Sequence, residues 1–425
     1  MIYHRPPLYL ALALTSALLA PATPTSAADE TFAPVAAISL PGGQKVQSFD
    51  ISFVDPVVGL YILGDRTNNT VDVIDTGTNT VLTQLIKGNF AGAQASNDIS
   101  GPNGVIIVRH REAWAGDAPC GTCTPATADS TVKVIDLFNQ QLTHVIHTGG
   151  AKRADEMCFD PRDHLLMVAN NADSPPFASI IDTNTYTVVH KITFGVGNTS
   201  NAPVSNNGIE QCQWDHRTGK FYVTVPGIAG QPANQGGVSV IDPVAGNVIT
   251  THILPVANCD TPQGSAVGPD HQILIGCNGS TSTNQSSVVI DDRNGHILAT
   301  VANQSGPDEV WFNDGDGHYF LARSAAVGAN QLLGVIDADS SNGNDDEHAG
   351  SDIKADADVI TANKTLPRNA HSVAADSNLN QVYVPIPAGV STICGSLGGV
   401  DANGCIAVFK APHDDRMADR DHDHH

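Results

Sequence analysis

Positive charge is scarce in this 425-residue sequence, in which 21 Lys and Arg stand against 44 Asp and Glu, a formal net charge of −23 with histidine neutral. A chain so acidic repels phosphate backbones and anionic lipid, which excludes nucleic acid and a membrane surface as its main partners. Long apolar runs are missing as well. Beyond a short stretch at residues 8–20, no segment approaches the roughly 18 uninterrupted apolar residues of a membrane span. No Walker loop, dinucleotide-binding glycine fingerprint or GxSxG elbow occurs, PCGTCT carries no histidine for covalent haem, and no second CxxC completes a zinc knuckle. The 39 Gly and 25 Pro leave no room for sustained helix, which excludes a helical bundle and points to many turns.

The N-terminus supplies what a cleaved secretory signal needs over residues 1–28: a basic Arg5, the short apolar stretch, and small residues at Thr25-Ser26-Ala27 and Ser26-Ala27-Ala28. The expected location is therefore secreted or periplasmic. Eight cysteines in such a chain are compatible with disulfides. Sequence proximity favours Cys394–Cys405, Cys259–Cys277 and Cys120–Cys123, while Cys158 and Cys212 occupy equivalent places in neighbouring repeats.

One phrase recurs along the chain: VDVIDTGTNTVLTQLIKG from Val71, VKVIDLFNQQLTHVIHTGG from Val132, SIIDTNTYTVVHKITFG from Ser179, VSVIDPVAGNVITTHILP from Val238 and SVVIDDRNGHILATVAN from Ser287. Degenerate copies start at Leu333 and Ile406. Each is an apolar strand, a turn opened by Asp, and a second strand. The recurring Asp75, Asp136, Asp182, Asp242, Asp291 and Asp337 suit turn initiation, because a carboxylate can accept backbone N–H bonds. A further strand–turn–strand precedes each copy, as in QCQWDHRTGKFYVTV. Four antiparallel strands per repeat make the blade of a β-propeller. Seven aligned starts, 45 to 63 residues apart, predict an all-β, seven-bladed propeller over residues 29–411. The last repeat stops after its third strand, so the spare segment 33–41 is expected to pair with 405–411 and close the ring. Residues 412–425 form a His- and Asp-rich tail expected to be disordered.

The VxVIDxxTxxVxxxI phrase resembles the YVTN family of seven-bladed propellers, which are typically exported or displayed at the cell surface. The resemblance spans residues 32–410 and implies fold more than activity.

Aligning the first strands brings Asp50, Asn103, Asp155, Glu210, Gln263, Asp308 and His371 to the propeller axis. The next column is Ile51, Gly104, Glu156, Gln211, Gly264, Glu309 and Ser372. Four converging carboxylates raise one another's pKa unless a cation or arginines compensate. Three readings follow. A divalent cation, Ca²⁺ or Zn²⁺/Mn²⁺, is held by some of Asp50, Asn103, Asp155, Glu210, Asp308 and His371. Alternatively the channel is merely hydrated, or it is a polar plug compensated by Arg66, Arg109 or Arg323, read as lying near the ends of second strands. Pro102-Asn103-Gly104 and Pro307-Asp308-Glu309 are similar to blade-leading phrases of the regucalcin/gluconolactonase propellers, whose metal ligands sit there, although those relatives have six blades.

Two long segments, 110–131 and 388–405, are read as loops overhanging this face, where His110 and Trp114, with Arg66, Arg109 and Arg323, would bind substrate. The functional expectation is a metal-dependent hydrolase or lyase acting on a lactone, ester or related small molecule, with His371 or Glu210 moving the proton. The alternative is a non-catalytic exported propeller that binds a protein or extracellular polymer through its loop face. Either way, the expected state is a monomer.

Overall fold

Each repeat folds as its own antiparallel sheet because its apolar segments are cut by turns that Asp and Gly open. In blade 4 the strands run Cys212–Asp215, Lys220–Val225, Gly237–Asp242 and Asn247–Ile253. The two middle strands are almost wholly buried, whereas the last alternates between cover and solvent. The computed structural model describes residues 32–279, 286–323, 333–338, 354–355 and 371–411, and within them seven four-stranded antiparallel sheets form the propeller.

The recurrent aspartates do what turn chemistry requires. Oδ1 of Asp136 accepts the backbone N–H groups of Phe138 and Asn139 at 2.9 Å each. Asp182 does the same for Asn184 and Thr185, and Asp242 for Val244 and Ala245. One residue before five of these aspartates, Asp75, Asp136, Asp182, Asp242 and Asp291, the ladder to the fourth strand shifts register, at Val73/Ile74, Val134/Ile135, Ile180/Ile181, Val240/Ile241 and Val289/Ile290. A bulge there increases the local twist, which suits blades that fan around an axis.

Blades are glued by side chains between their faces. Met167 and Ile180 of blade 3 pack with Phe221, Val223 and Ile241 of blade 4. Tyrosines on second strands reach across such seams: Tyr222 donates to Asp292 O at 2.8 Å, and Tyr383 to Thr76 O at 3.3 Å.

Ring closure follows the expectation. Ala33–Ile38 pairs antiparallel with Cys405–Lys410, from Ala33 opposite Lys410 to Ile38 opposite Ile406, and supplies the fourth strand of blade 7. The eight cysteines form Cys120–Cys123, Cys158–Cys212, Cys259–Cys277 and Cys394–Cys405. Cys158–Cys212 staples the first strands of blades 3 and 4, which is why those cysteines held equivalent repeat positions. Lys354–Ala355 completes blade 6. The expected signal segment, the histidine-rich tail and most of the acidic insertion lie outside the described residues. No helix among the described residues is long and apolar enough to cross a membrane.

Candidate functional site at the propeller axis

The axial residues are set at one height by a repeated backbone pattern. Asp50, Asn103, Asp155 and Glu210 each donate their N–H to a carbonyl of their own second strand, at Gly64, Gly116, Ala169 and Thr224, over 2.8–3.0 Å. Neighbouring loops come close enough that Gly104 is obligatory, since a Cβ there would collide with the Asp155 carbonyl. Hydrogen bonds and mutual charge effects link Asp50, Asn103, Asp155, Glu210, Asp308 and His371, whereas the Gln263 side chain accepts from Asn278 Nδ2 at 2.7 Å.

Their charge is answered from within the protein. Arg66, fully buried just after the second strand of blade 1, pairs with Asp50 and donates to Asn103 Oδ1 from Nε at 2.9 Å and Nη2 at 2.7 Å. Arg153 pairs with Asp155 at 2.7 Å. His371 stacks on Phe49 and places Nε2 3.2 Å from Asp50 Oδ1. Burial by itself would raise Asp50, but Arg66, then Arg153 and His371, outweigh it and hold that carboxyl well below the usual range. Burial disfavours the charged imidazole of His371, yet the Asp50 hydrogen bond and charge prevail and raise it. The rest of the ring is driven the other way. Burial pushes Asp155 up to about 7, the nearby Asp50 charge adds to this, and Arg153 offsets only part. Burial, then the charge of Asp308, lifts Glu210 well above its ordinary range, and burial raises Asp308 against the pull of His371. Asp155 Oδ1 finds no donor although its carboxyl lies against Asp50, so a proton on Asp155 supplies the missing hydrogen bond.

The next layer seals the channel. Glu156 and Glu309, from blades 3 and 6, pair across the axis, and burial followed by mutual repulsion raises the Glu156 carboxyl well above its ordinary range. Gln211 spans the same layer: its Oε1 accepts from Ser265 N at 2.8 Å and Val310 N at 3.2 Å, and its Nε2 donates to Val310 O at 3.1 Å. Ser52 and Ser372 bond at 2.9 Å.

Beneath this floor the channel opens into a cavity of about 600 Å³ that reaches the opposite face. Its wall is apolar and aromatic, with Phe53, Met157, Phe159, Trp214, Trp311 and Phe312. Trp214 Nε1 is shut off from this space and has no hydrogen-bond partner. The basic side chains at the rim are engaged elsewhere: Arg109 bonds Thr183 and Asn184, and His110 Nδ1 lies 2.7 Å from Asp55.

Several placements correct the sequence reading. Arg109 and His110 do not lie on the ring face; they form the turn between Val105–Val108 and Glu112–Asp117, at the mouth of the cavity. Trp114 is wholly buried in that second strand, its indole donating to Glu112 Oε2 at 3.0 Å, so it faces no substrate. The overhanging loop consequently runs 118–130, not 110–131. Arg323 is spent on the backbone carbonyls of Ser305 and Asn303. Of the three arginines considered, Arg66 is the one whose described contacts reach the ring. The second, Arg153, was missed, although the sequence marks it: in the column two residues before the ring it stands among Ser48, Gly101, Gly208, Thr261, Gly306 and Asn369.

Among the described residues, the only three His, Cys, Asp or Glu whose ligand atoms lie within 4.8 Å of one another are Asp117, Cys120 and Cys123. Those two sulfurs are joined to each other and offer no thiolate.

No family model matches the sequence, and no curated protein matches it. Solved structures match by shape. The chain is similar to Kuenenia stuttgartiensis hydrazine synthase, with TM-score 0.56 and 12% identity over 81% of this chain and 95% of that one. It is also similar to the WD40 repeats of RRP9, with TM-score 0.59 and 10% identity over 89% and 99%, and to the Neurospora crassa Pan2 WD40 domain, with TM-score 0.56 and 10% identity over 92% and 98%. Identities this low speak for the propeller fold alone.

Proposed function

We propose that the chain is an exported propeller of the YVTN type that binds an uncharged, largely apolar small molecule in its axial cavity. One observation carries this reading. The acidic ring is largely neutralised by the protein's own Arg66, Arg153 and His371, while the aromatic cavity below it is left open. A cavity of about 600 Å³ falls in the size range of small-molecule sites, and apolar walls with a few convergent polar groups are their usual lining. The four disulfides are consistent with an oxidising compartment. Two of the chain's 3 tryptophans, Trp214 and Trp311, line the cavity and give the assay. The neutral fluorophore N-phenyl-1-naphthylamine should bind saturably and quench tryptophan emission. Met157→Arg, which puts a charge into the cavity wall, should abolish both signals. An unsaturable signal, or one unchanged in the variant, rules the reading out.

A second reading keeps a divalent cation, Ca²⁺ or Zn²⁺/Mn²⁺, at the ring mouth among Asp50, Asn103, Asp155, Glu210, Asp308 and His371. The cation would polarise a lactone or ester carbonyl, with His371 or Glu210 as proton carrier. The unsatisfied Asp155 Oδ1 favours it, because a cation could take the place of the shared proton. Equilibrium dialysis against each ion, followed by metal analysis, separates the two readings.

A further inference from the structure

Cys120–Cys123 differs from the other three disulfides in what it closes and in what surrounds it. It spans three positions, against 54, 18 and 11 for the others, and so constrains the unfolded chain least. It lies in the loop after the second strand of blade 2, directly over a buried ion pair. Lys133, from the third strand of that blade, is fully buried, with Nζ 2.6 Å from Asp117 Oδ2 and 3.4 Å from Cys123 Sγ. Its other neighbours are the Asn89 carbonyl and the Phe90 ring, 4.8 Å from Nζ. Cys120, buried and with its sulfur within 4.8 Å of the Asp117 carboxylate, borders a surface cavity of about 400 Å³ lined also by Gln94, Ile99, Pro119 and Thr122. The two buried cysteines thus have different surroundings: Cys120 borders the surface cavity, and the sulfur of Cys123 lies beside a cation. A lysine ammonium aimed at a sulfur has little to do while that sulfur is in a disulfide, but it stabilises the thiolate that appears on reduction.

We propose that Cys120–Cys123 is an exchange-active disulfide that oxidises dithiols, with Cys120 the sulfur attacked and Cys123 the leaving thiolate. The substrate thiolate enters the cavity and attacks Cys120 Sγ. The Cys120–Cys123 bond breaks, a mixed disulfide forms at Cys120, and the electron pair leaves on Cys123, whose thiolate the Lys133 ammonium holds. The second thiol of the substrate, deprotonated, then attacks the substrate's own sulfur in that mixed disulfide and expels Cys120. The substrate has lost two electrons and two protons and carries a disulfide, and the chain carries the dithiol. Burial, partly offset by Lys133, keeps the Asp117 carboxyl above its ordinary range, so Asp117 is placed to exchange a proton with Cys123. Nothing in this sequence of steps involves the axial cavity, so the inference stands apart from the ligand reading above.

The test uses the intact, folded protein in buffers of reduced and oxidised glutathione, with thiols alkylated and each cysteine peptide quantified by mass. The expected result is that Cys120 and Cys123 become alkylated while the other six cysteines stay paired and circular dichroism is unchanged. Lys133→Met should shift the midpoint by about tenfold in the glutathione ratio toward harder reduction, because the leaving thiolate loses its cation. Where that variant does not fold, Cys123→Ser gives an independent reading: it should trap a mixed disulfide with glutathione at Cys120. Reduction of this pair only together with the other three, or a Cys123→Ser protein that takes up no glutathione, overturns the proposal.

Discussion

Replacing Asp155 by Asn is expected to make the protein more stable at neutral and higher pH, and to change little in mild acid. The reasoning starts from the Asp155 carboxyl, buried at the axis beside Asp50 and lifted to about 7 by that burial and by the Asp50 charge against the pull of Arg153. In the unfolded chain the same group ionises near 3.9. A carboxyl that holds its proton more tightly when folded contributes fully below the unfolded value and loses that contribution as pH climbs through the folded one, so stability drains between about pH 4 and pH 7. The rise from 3.8 to about 7, at about 1.4 kcal/mol per pH unit, amounts to about 4 kcal/mol once Asp155 is ionised. Asparagine keeps the shape, stays neutral and can donate an N–H to Asp50. Arg153 loses an ionised partner in exchange but keeps the fields of Asp50, Glu210 and Asp308. A net gain of about 2–4 kcal/mol above pH 7 is therefore expected, shrinking toward zero near pH 4. Urea unfolding followed by far-ultraviolet circular dichroism across that range reads it directly. A variant less stable than the parent at pH 8 would refute the argument, and if a divalent ion were released at the same time, Asp155 would be a working cation ligand.

Two further outcomes follow from the ring's construction. Deleting residues 33–38 leaves Cys405–Lys410 as an unpaired edge, and light scattering should show aggregation; a deletion variant that stays monodisperse would mean the edge is protected by something else. Replacing both Cys158 and Cys212 by alanine frees a loop of 54 positions and should lower stability by about 4 kcal/mol in denaturant titrations, whereas a loss below about 1 kcal/mol would show that the blade interface, not the staple, sets the local stability.

The propeller was legible because its signals are local and repeated. VxVID strands, Asp-led turns and a missing last strand each state one piece of the same ring. The axial column was legible for the same reason, since repeat alignment alone puts Asp50, Asp155, Glu210 and Asp308 at one height. What the repeat could not reveal is whatever departs from it. Arg153 enters the ring from the preceding loop, where its column stands out in the repeat alignment only as a lone charge, and the alignment does not show that it turns to Asp155. The turn holding Arg109 and His110 was misplaced because both adopt the left-handed conformation, at φ 54° and 55°, without the Asn, Asp or Gly that usually marks it. Reading that turn as strand carried Trp114 from the core onto an imagined loop. The cavity was hidden too, since large residues in a first strand look alike whether they face a neighbour or an open axis.

The clasp that closes the ring has a mechanical character. Ala33 lies opposite Lys410, so the outer ends of the first and last strands leave the sheet side by side. Tension applied between the two termini therefore loads one ladder bond at a time, as in opening a zipper, rather than shearing all of them together. Tension applied along the strands from points within other blades would have to slide whole ladders in parallel. The molecule is thus directional under load, yielding first at its own seam and leaving the six other blades folded. A propeller tethered through both ends would lose that ladder first while blades 1 and 7 stay packed through their shared core, and closing it again needs only that the two end strands meet.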